Sequence, residues 1–255
     1  MKKLLLSLSA WFFAALSVCA QTAPADTTAS TLKPKRRNVA TELNINPFNG
    51  TLSLNNSLNQ LKFRFFASTA LAWRLGLTGN RISNFSENTN PYGNNPYNYK
   101  NERSSTTLGL NLGLEKHFAG TKRLSPYVGA DLAIANKSSK QEITEKQTVT
   151  TITGAWREYI YNGSNPNYPI LSQEAERAYF RYGLNLVTGF DFYMAHHFFF
   201  GYEVNFGFSQ TAYKEIEVSL STFGGGSPSD NNDVKNTSFT FGPNLLNGVR
   251  IGYIF

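Results

Sequence analysis

From Val39 to Phe255 the chain alternates apolar and polar residues, and this pattern constrains its fold more than any motif does. Successive side chains of an extended strand point to opposite faces, so a period of two predicts strands with one apolar and one polar face. Eight segments carry it. Their apolar sets are Thr41/Leu43/Ile45, Leu61/Phe63/Phe65, Leu71/Trp73/Leu75/Leu77, Leu108/Leu110/Leu112/Leu114, Val128/Ala130/Leu132/Ile134, Phe180/Tyr182/Leu184/Leu186/Phe190/Phe192, Phe198/Phe200/Tyr202/Val204/Phe206/Phe208 and Phe239/Phe241/Leu245/Val249/Ile251/Tyr253/Phe255. No segment with a helical period competes with them, and no apolar stretch reaches the roughly 18 residues of a membrane helix. Aromatic residues make up 14% of the 255, which excludes a disordered chain, while charged residues make up only 16%, against about 25% in soluble domains. A soluble all-β fold and a transmembrane β-barrel remain.

The opposite parity holds glycines and small polar residues together with Glu42, Lys62, Arg64, Arg74, Glu115, Asp131, Arg181, Asp191, Glu203 and Arg250. Five are acids and five are bases. A solvated wall has no reason to balance its charges so evenly, whereas a closed lumen does, because an unpaired buried charge is costly. Connections alternate in length. The gaps 47–58, 84–103, 136–177 and 213–236 read as long loops; Ala67 to Ala70, Ala119 to Ser125 and Tyr193 to His197 read as tight turns. Loops then gather at one end of an up-and-down meander and turns at the other.

Alternation alone does not say which face points outward. The long-short asymmetry and the aromatic residues near the turn ends (Phe65, Phe118, Phe190, Phe192, Phe198, Phe200) favour an apolar face turned to lipid. Val249, Ile251, Tyr253 and the final Phe255 run in phase, similar to the C-terminal assembly signal of outer-membrane barrels. Over about Val39 to Phe255 the chain resembles the small barrels of the OmpX and OmpA transmembrane-domain kind. Leu61 to Phe66 and Leu71 to Leu77 resemble the second hairpin of the porin-like "outer membrane protein β-barrel domain" family. The resemblance implies an all-β, eight-stranded antiparallel up-and-down transmembrane β-barrel. It further implies outer-membrane lipid and lipopolysaccharide as surroundings, and the barrel-assembly machinery as a partner. No peptidoglycan-binding domain follows the barrel pattern, so anchoring to the cell wall does not carry over.

Residues 1–20 read as a secretory signal peptide: Lys2 and Lys3, an apolar core from Leu4 to Leu16, and small residues suited to cleavage after Ala20. Acylation of Cys19 is the competing reading. Residues 21–38 read as a flexible periplasmic tail ending in Lys33, Lys35, Arg36 and Arg37, and 39–255 as the barrel. Cleavage leaves 22 bases against 17 acids and no cysteine, which excludes disulfide scaffolds, thiol enzymes and Cys-ligated zinc.

Eight strands enclose an interior just wide enough for side chains to fill. The ten charges of the polar parity are therefore expected to form a lumen charge network, in which Arg64, Arg74, Glu115, Asp131, Asp191, Glu203 and Arg250, all within a few residues of a predicted turn, plug the turn end. Catalysis needs a nucleophile beside a base. His117, His196 and His197 fall at predicted turn ends, where they read as interfacial residues. His197 and Glu203 lie roughly 20 Å apart along a strand, and Glu115 and His117 about 6.6 Å apart with no serine on that strand. No enzyme activity, cofactor or metal is expected. Ser227 to Asp233 offers oxygen ligands but lacks the spacing and terminal Glu of a calcium loop, and no basic face for nucleic acid stands out. Tyr92, Tyr97, Tyr99 and Tyr168, set among turn formers, suit a recognition surface for an extracellular ligand or protein. The alternation in 142–144 and 148–153 predicts a hairpin reaching beyond the membrane. The sequence thus predicts an outer-membrane barrel with a structural or surface-interaction role. A narrow channel, a lipid A-modifying enzyme and a soluble barrel holding an apolar ligand are the alternatives.

Overall fold

The computed structural model describes residues 32–45, 60–90, 97–146, 148–162, 165–222, 225–226, 230–232, 236–244 and 249–255. The predicted signal peptide, Cys19 and most of the predicted tail lie outside the described residues. Every regular element described is a strand: β1 Val39–Ile45, β2 Gln60–Phe66, β3 Leu71–Asn90, β4 Tyr97–His117, β5 Leu124–Glu145, β6 Thr148–Thr153, β7 Trp156–Asn162, β8 Asn165–Ala175, β9 Tyr179–Tyr193, β10 Phe198–Tyr213, β11 Ile216–Thr222, β12 Gly225–Gly226, β13 Asp230–Asn232, β14 Thr237–Asn244 and β15 Val249–Ile254.

All the pairings are antiparallel, and they close on themselves. β1 pairs with β2, β2 with β3, β3 with β4, β4 with β5, β5 with β9 and β9 with β10. β10 then pairs with β14 and β15, and β15 returns to β1 with Ala40 opposite Ile254. This is the predicted eight-stranded ring, its last wall shared by β14 and β15. Closure satisfies backbone groups that no water could reach in a bilayer. The apolar parity points outward, leaving Trp73, Leu108 and Phe241 56%, 61% and 65% exposed. Such a surface is suited to lipid, and the lumen that a soluble barrel would reserve for an apolar ligand is instead lined with charge.

The tight turns at 67–70, 118–123 and 194–197 lie at one end, as predicted. At the other end the sequence underestimated the strands. β3, β4 and β5 run for 20, 21 and 22 residues, so most of the segments read as the loops 84–103 and 136–177 are strand. Register holds without slippage from Leu71↔Lys116 to Asn90↔Tyr97. These strands are about twice as long as the 9–11 residues that cross a bilayer. Outside the predicted apolar sets their residues are mostly polar, so hydropathy alternation announces only the 142–144 stretch of β5.

Glu142 to Thr144 and Thr148 to Thr153 do form a hairpin, β5 with β6. Its outer strand β6 then pairs with β11 from the next loop, and Ile152, Ala155 and Ile216 form a small buried core between them. β11 also carries β12 and β13, while β7 and β8 form a separate hairpin. Gly154, at φ +90°, turns the chain between β6 and β7. There its N–H donates to Ser139 O, and its own carbonyl accepts from Ala178 N.

Candidate functional site

The turn end of the lumen is filled in two layers. The outermost is apolar: Ala40, Phe66, Ala72, Tyr193, Phe199 and Ile254 form one buried cluster, against which Leu32 packs from the tail. The tail is fixed further by Arg37 N donating to Phe66 O and by Lys33 Nζ donating to Ala119 O at 2.6 Å. Phe199 reaches the axis because its partner across the β10/β15 pair is Gly252. A Cβ at 252 would lie only 2.0 Å from Phe199 Cζ, so the ring occupies the volume that glycine leaves empty.

Immediately above lies the charged layer. Arg250 donates through Nη2 to Asp191 Oδ1 at 2.6 Å and through Nη1 to Glu42 Oε2 at 3.0 Å. Arg64 Nη1 meets Asp191 Oδ2 at 2.6 Å and Glu115 Oε1 at 3.1 Å, and its Nε lies 3.3 Å from Glu42. Arg74 reaches Glu203 at 2.8 Å, Glu115 at 3.0 Å and Asp131 at 3.1 Å. Tyr127 adds a hydroxyl donated to Glu203 at 2.7 Å. The guanidinium of Arg64 sits 4.6 Å from the Phe199 ring centroid, and that of Arg250 sits 4.9 Å from Tyr127. Each arginine therefore bridges at least two carboxylates, and aromatic faces fix the planes of two of them. Glu115, Asp191 and Arg250 are essentially inaccessible.

Of the ten charges in the polar parity, nine converge here. Lys62 lines a cavity of about 10 Å³ with Glu42, Arg64, Arg74, Asn111 and Asp131, a volume matching one water. The tenth, Arg181, stands apart at the loop end, where its Nε donates to Thr211 Oγ1 at 2.9 Å.

His117 is placed differently from the sequence expectation. It is buried inside the barrel, with Nε2 3.0 Å from Glu115 Oε1 and Nδ1 2.9 Å from Ser125 Oγ. Ser125 was missed because it lies on β5, and strand-by-strand reading does not see a partner across the sheet. The line Ser125–His117–Glu115 has the composition of a nucleophile, base and orienting acid. Yet Glu115 is shared with Arg64 and Arg74, and the serine is 3% exposed. His196 and His197 are exposed at the last tight turn, His197 stacked on Tyr253.

Tyr97 and Tyr99 lie on β4, not in a loop. Tyr99 accepts a hydrogen bond from Asn101 on the inner face. Tyr168 belongs to β8, while Tyr92, Ser227 to Ser229 and Asp233 lie outside the described residues. Val249, Ile251 and Tyr253 form the outer face of β15; Tyr253 meets Phe198 and Phe255 edge to face.

Compared with known proteins, residues 51–245, about three quarters of the chain, match the model of the OmpA-OmpF-like porin family. No curated protein matches the chain.

Proposed function

The chain belongs to the OmpA-OmpF-like porin family of outer-membrane β-barrel proteins, and from that premise we propose that it is a closed, non-enzymatic barrel with a structural or surface-interaction role. The observation that carries this reading is the two-layer filling of the turn end. Three arginines and five acids interlock there above an apolar layer, with Lys62 beside a cavity of about one water's volume. An ion crossing this layer would have to break contacts whose loss exposes uncompensated buried charge, a penalty of several kcal/mol. The tight turns face the periplasm and the long strands face outward, as in barrels of this architecture. The extracellular wall β3–β4–β5–β6–β11 then presents polar surface well beyond the lipid, and Tyr97 and Tyr99 stand at its upper rim. Burial of Ser125 and the sharing of Glu115 between two arginines favour structural duty for His117 over catalysis.

Reconstitution in planar bilayers tests the closure. The wild type should show no steady single-channel steps, and Arg74→Ala or Glu115→Ala should produce them. Steady wild-type conductance that neither substitution alters would overturn the reading.

A further inference from the structure

At the loop end the inner wall carries a second charged group, built differently from the first. Lys137, Tyr179 and Tyr213 stand side by side across β5, β9 and β10, with Arg181 opposite Thr211 in the next rung toward the turn end. They share the parity of Asp131, Asp191 and Glu203, so all face the lumen. Lys137 Nζ and Arg181 Cζ lie 5.9 and 4.7 Å from the Tyr179 ring centroid. Arg177 Cζ lies 5.2 Å from that of Tyr213, and the two rings meet edge to face at 6.4 Å.

Charge compensation is incomplete here. Lys137 pairs with Glu176 at 2.6 Å, and Arg177 lies 3.6 Å from the half-exposed Glu174. Among the described residues no carboxylate lies within ion-pair reach of Arg181, which is exposed to solvent. Its one side-chain hydrogen bond uses Nε, leaving both terminal nitrogens to donate. Arg177 Nε is buried without a hydrogen-bond partner. Three cations thus stand against two carboxylates, the reverse of the excess at the turn end. Tyrosine faces hold two guanidinium groups in fixed planes, and a planar fork held in place is what two-point recognition of an oxyanion requires.

We propose that Arg177, Arg181 and Lys137, set on Tyr179 and Tyr213, form a binding site for a phosphate-bearing anion that enters from the loop end. Both guanidinium groups bind phosphoryl oxygens, and Lys137 adds a point charge. The site does not depend on closure of the turn end, so bilayer conductance and anion binding can succeed or fail separately.

The test uses the full barrel in a zwitterionic detergent, with glucose 6-phosphate titrated calorimetrically and glucose as the uncharged control. Saturable binding of the phosphate ester alone is expected, falling at least tenfold in Arg181→Gln and in Arg177→Gln while both variants keep the heat-dependent gel shift of a folded barrel. Loss of that shift in either glutamine variant moves the same comparison to Arg181→Lys, which keeps charge without the fork and should also bind more weakly. Added lipopolysaccharide identifies the source. Displacement of the sugar phosphate assigns the site to a lipid phosphate, and undisturbed binding assigns it to a free solute. No binding by folded wild type, or equal binding of glucose, or affinity unchanged in Arg181→Gln, would overturn the proposal.

Discussion

The two ends of the lumen use the same side chains to opposite effect. At the turn end Arg64, Arg74 and Arg250 each satisfy several carboxylates and are almost fully buried; at the loop end Arg177 and Arg181 rest on tyrosine rings beside too few acids. Partnering, more than residue type, separates a structural charge from one available to a ligand. A buried arginine without acids would be intolerable, so the inner layer has to be compensated. Near the mouth, water reaches the guanidinium of Arg181 that the protein leaves unpaired.

Removing one partner should therefore cost far more below than above. Arg250→Ala leaves Glu42 and Asp191 short of a partner in a buried layer and should destabilise the barrel by about 3–5 kcal/mol. This is measurable as a lower urea midpoint in micelles, or as a heat-dependent gel shift at lower temperature. A loss below about 1 kcal/mol would mean that water already reaches the layer. Coupling sharpens the comparison. A double-mutant cycle between Arg74 and Glu203 should return about 0.5–3 kcal/mol, whereas the same cycle between Arg177 and Glu174 should stay within about 0.2–1 kcal/mol. Equal couplings would erase the distinction.

The apolar layer gives the next effect. Gly252→Ala places a methyl where the Phe199 ring lies. Overpacking of this kind costs about 1–3 kcal/mol. Combining it with Phe199→Leu should restore part of the loss. An unaltered unfolding midpoint in the single variant would show that the ring moves freely and that the layer is loose.

How much of this was legible in the sequence follows from where the physics is local. Strand alternation is a property of neighbours along the chain, so the eight wall segments and the three tight turns could be read directly, while the choice of outward face needed the long-short asymmetry and the aromatic residues near the turn ends. The charges of the lumen could be grouped by parity, because parity fixes the face. Depth could be read where a charge lies close to a predicted turn, as for the seven turn-end charges; Arg181 shares parity with Asp191 but lies ten residues from it along β9, which puts it at the other end of the barrel. Ser125 beside His117, and β6 beside β11, depend on pairings between distant segments, and the extensions of β3 and β4 carry no regular apolar face to announce them, whereas residues 142–144 of β5 do. Of the aromatic rung only Arg181 was singled out; the rings and cations it joins come from pairings across β5, β9 and β10.

The smallest expected effect is at the mouth and depends on pH. Lys137 donates to Glu176, and that hydrogen bond holds the Glu176 carboxyl below the usual carboxylate range. A carboxyl whose folded-state value is depressed contributes stability above its unfolded value and loses it as pH falls through the folded one. The contact should therefore be intact at pH 7 and fade on acidification below about pH 4, the ordinary range of a glutamate. Glu176→Gln should lower the unfolding free energy, read from the shift of the midpoint, by about 0.2–1 kcal/mol at neutral pH and by less in acid. The same substitution removes one of the two acids of the rung. Affinity for a phosphate ester should then rise while stability falls slightly, a pair of opposite signs that the turn end, where every acid is needed, cannot produce. A fall in both would place Glu176 in the framework of the site and not in competition with its ligand.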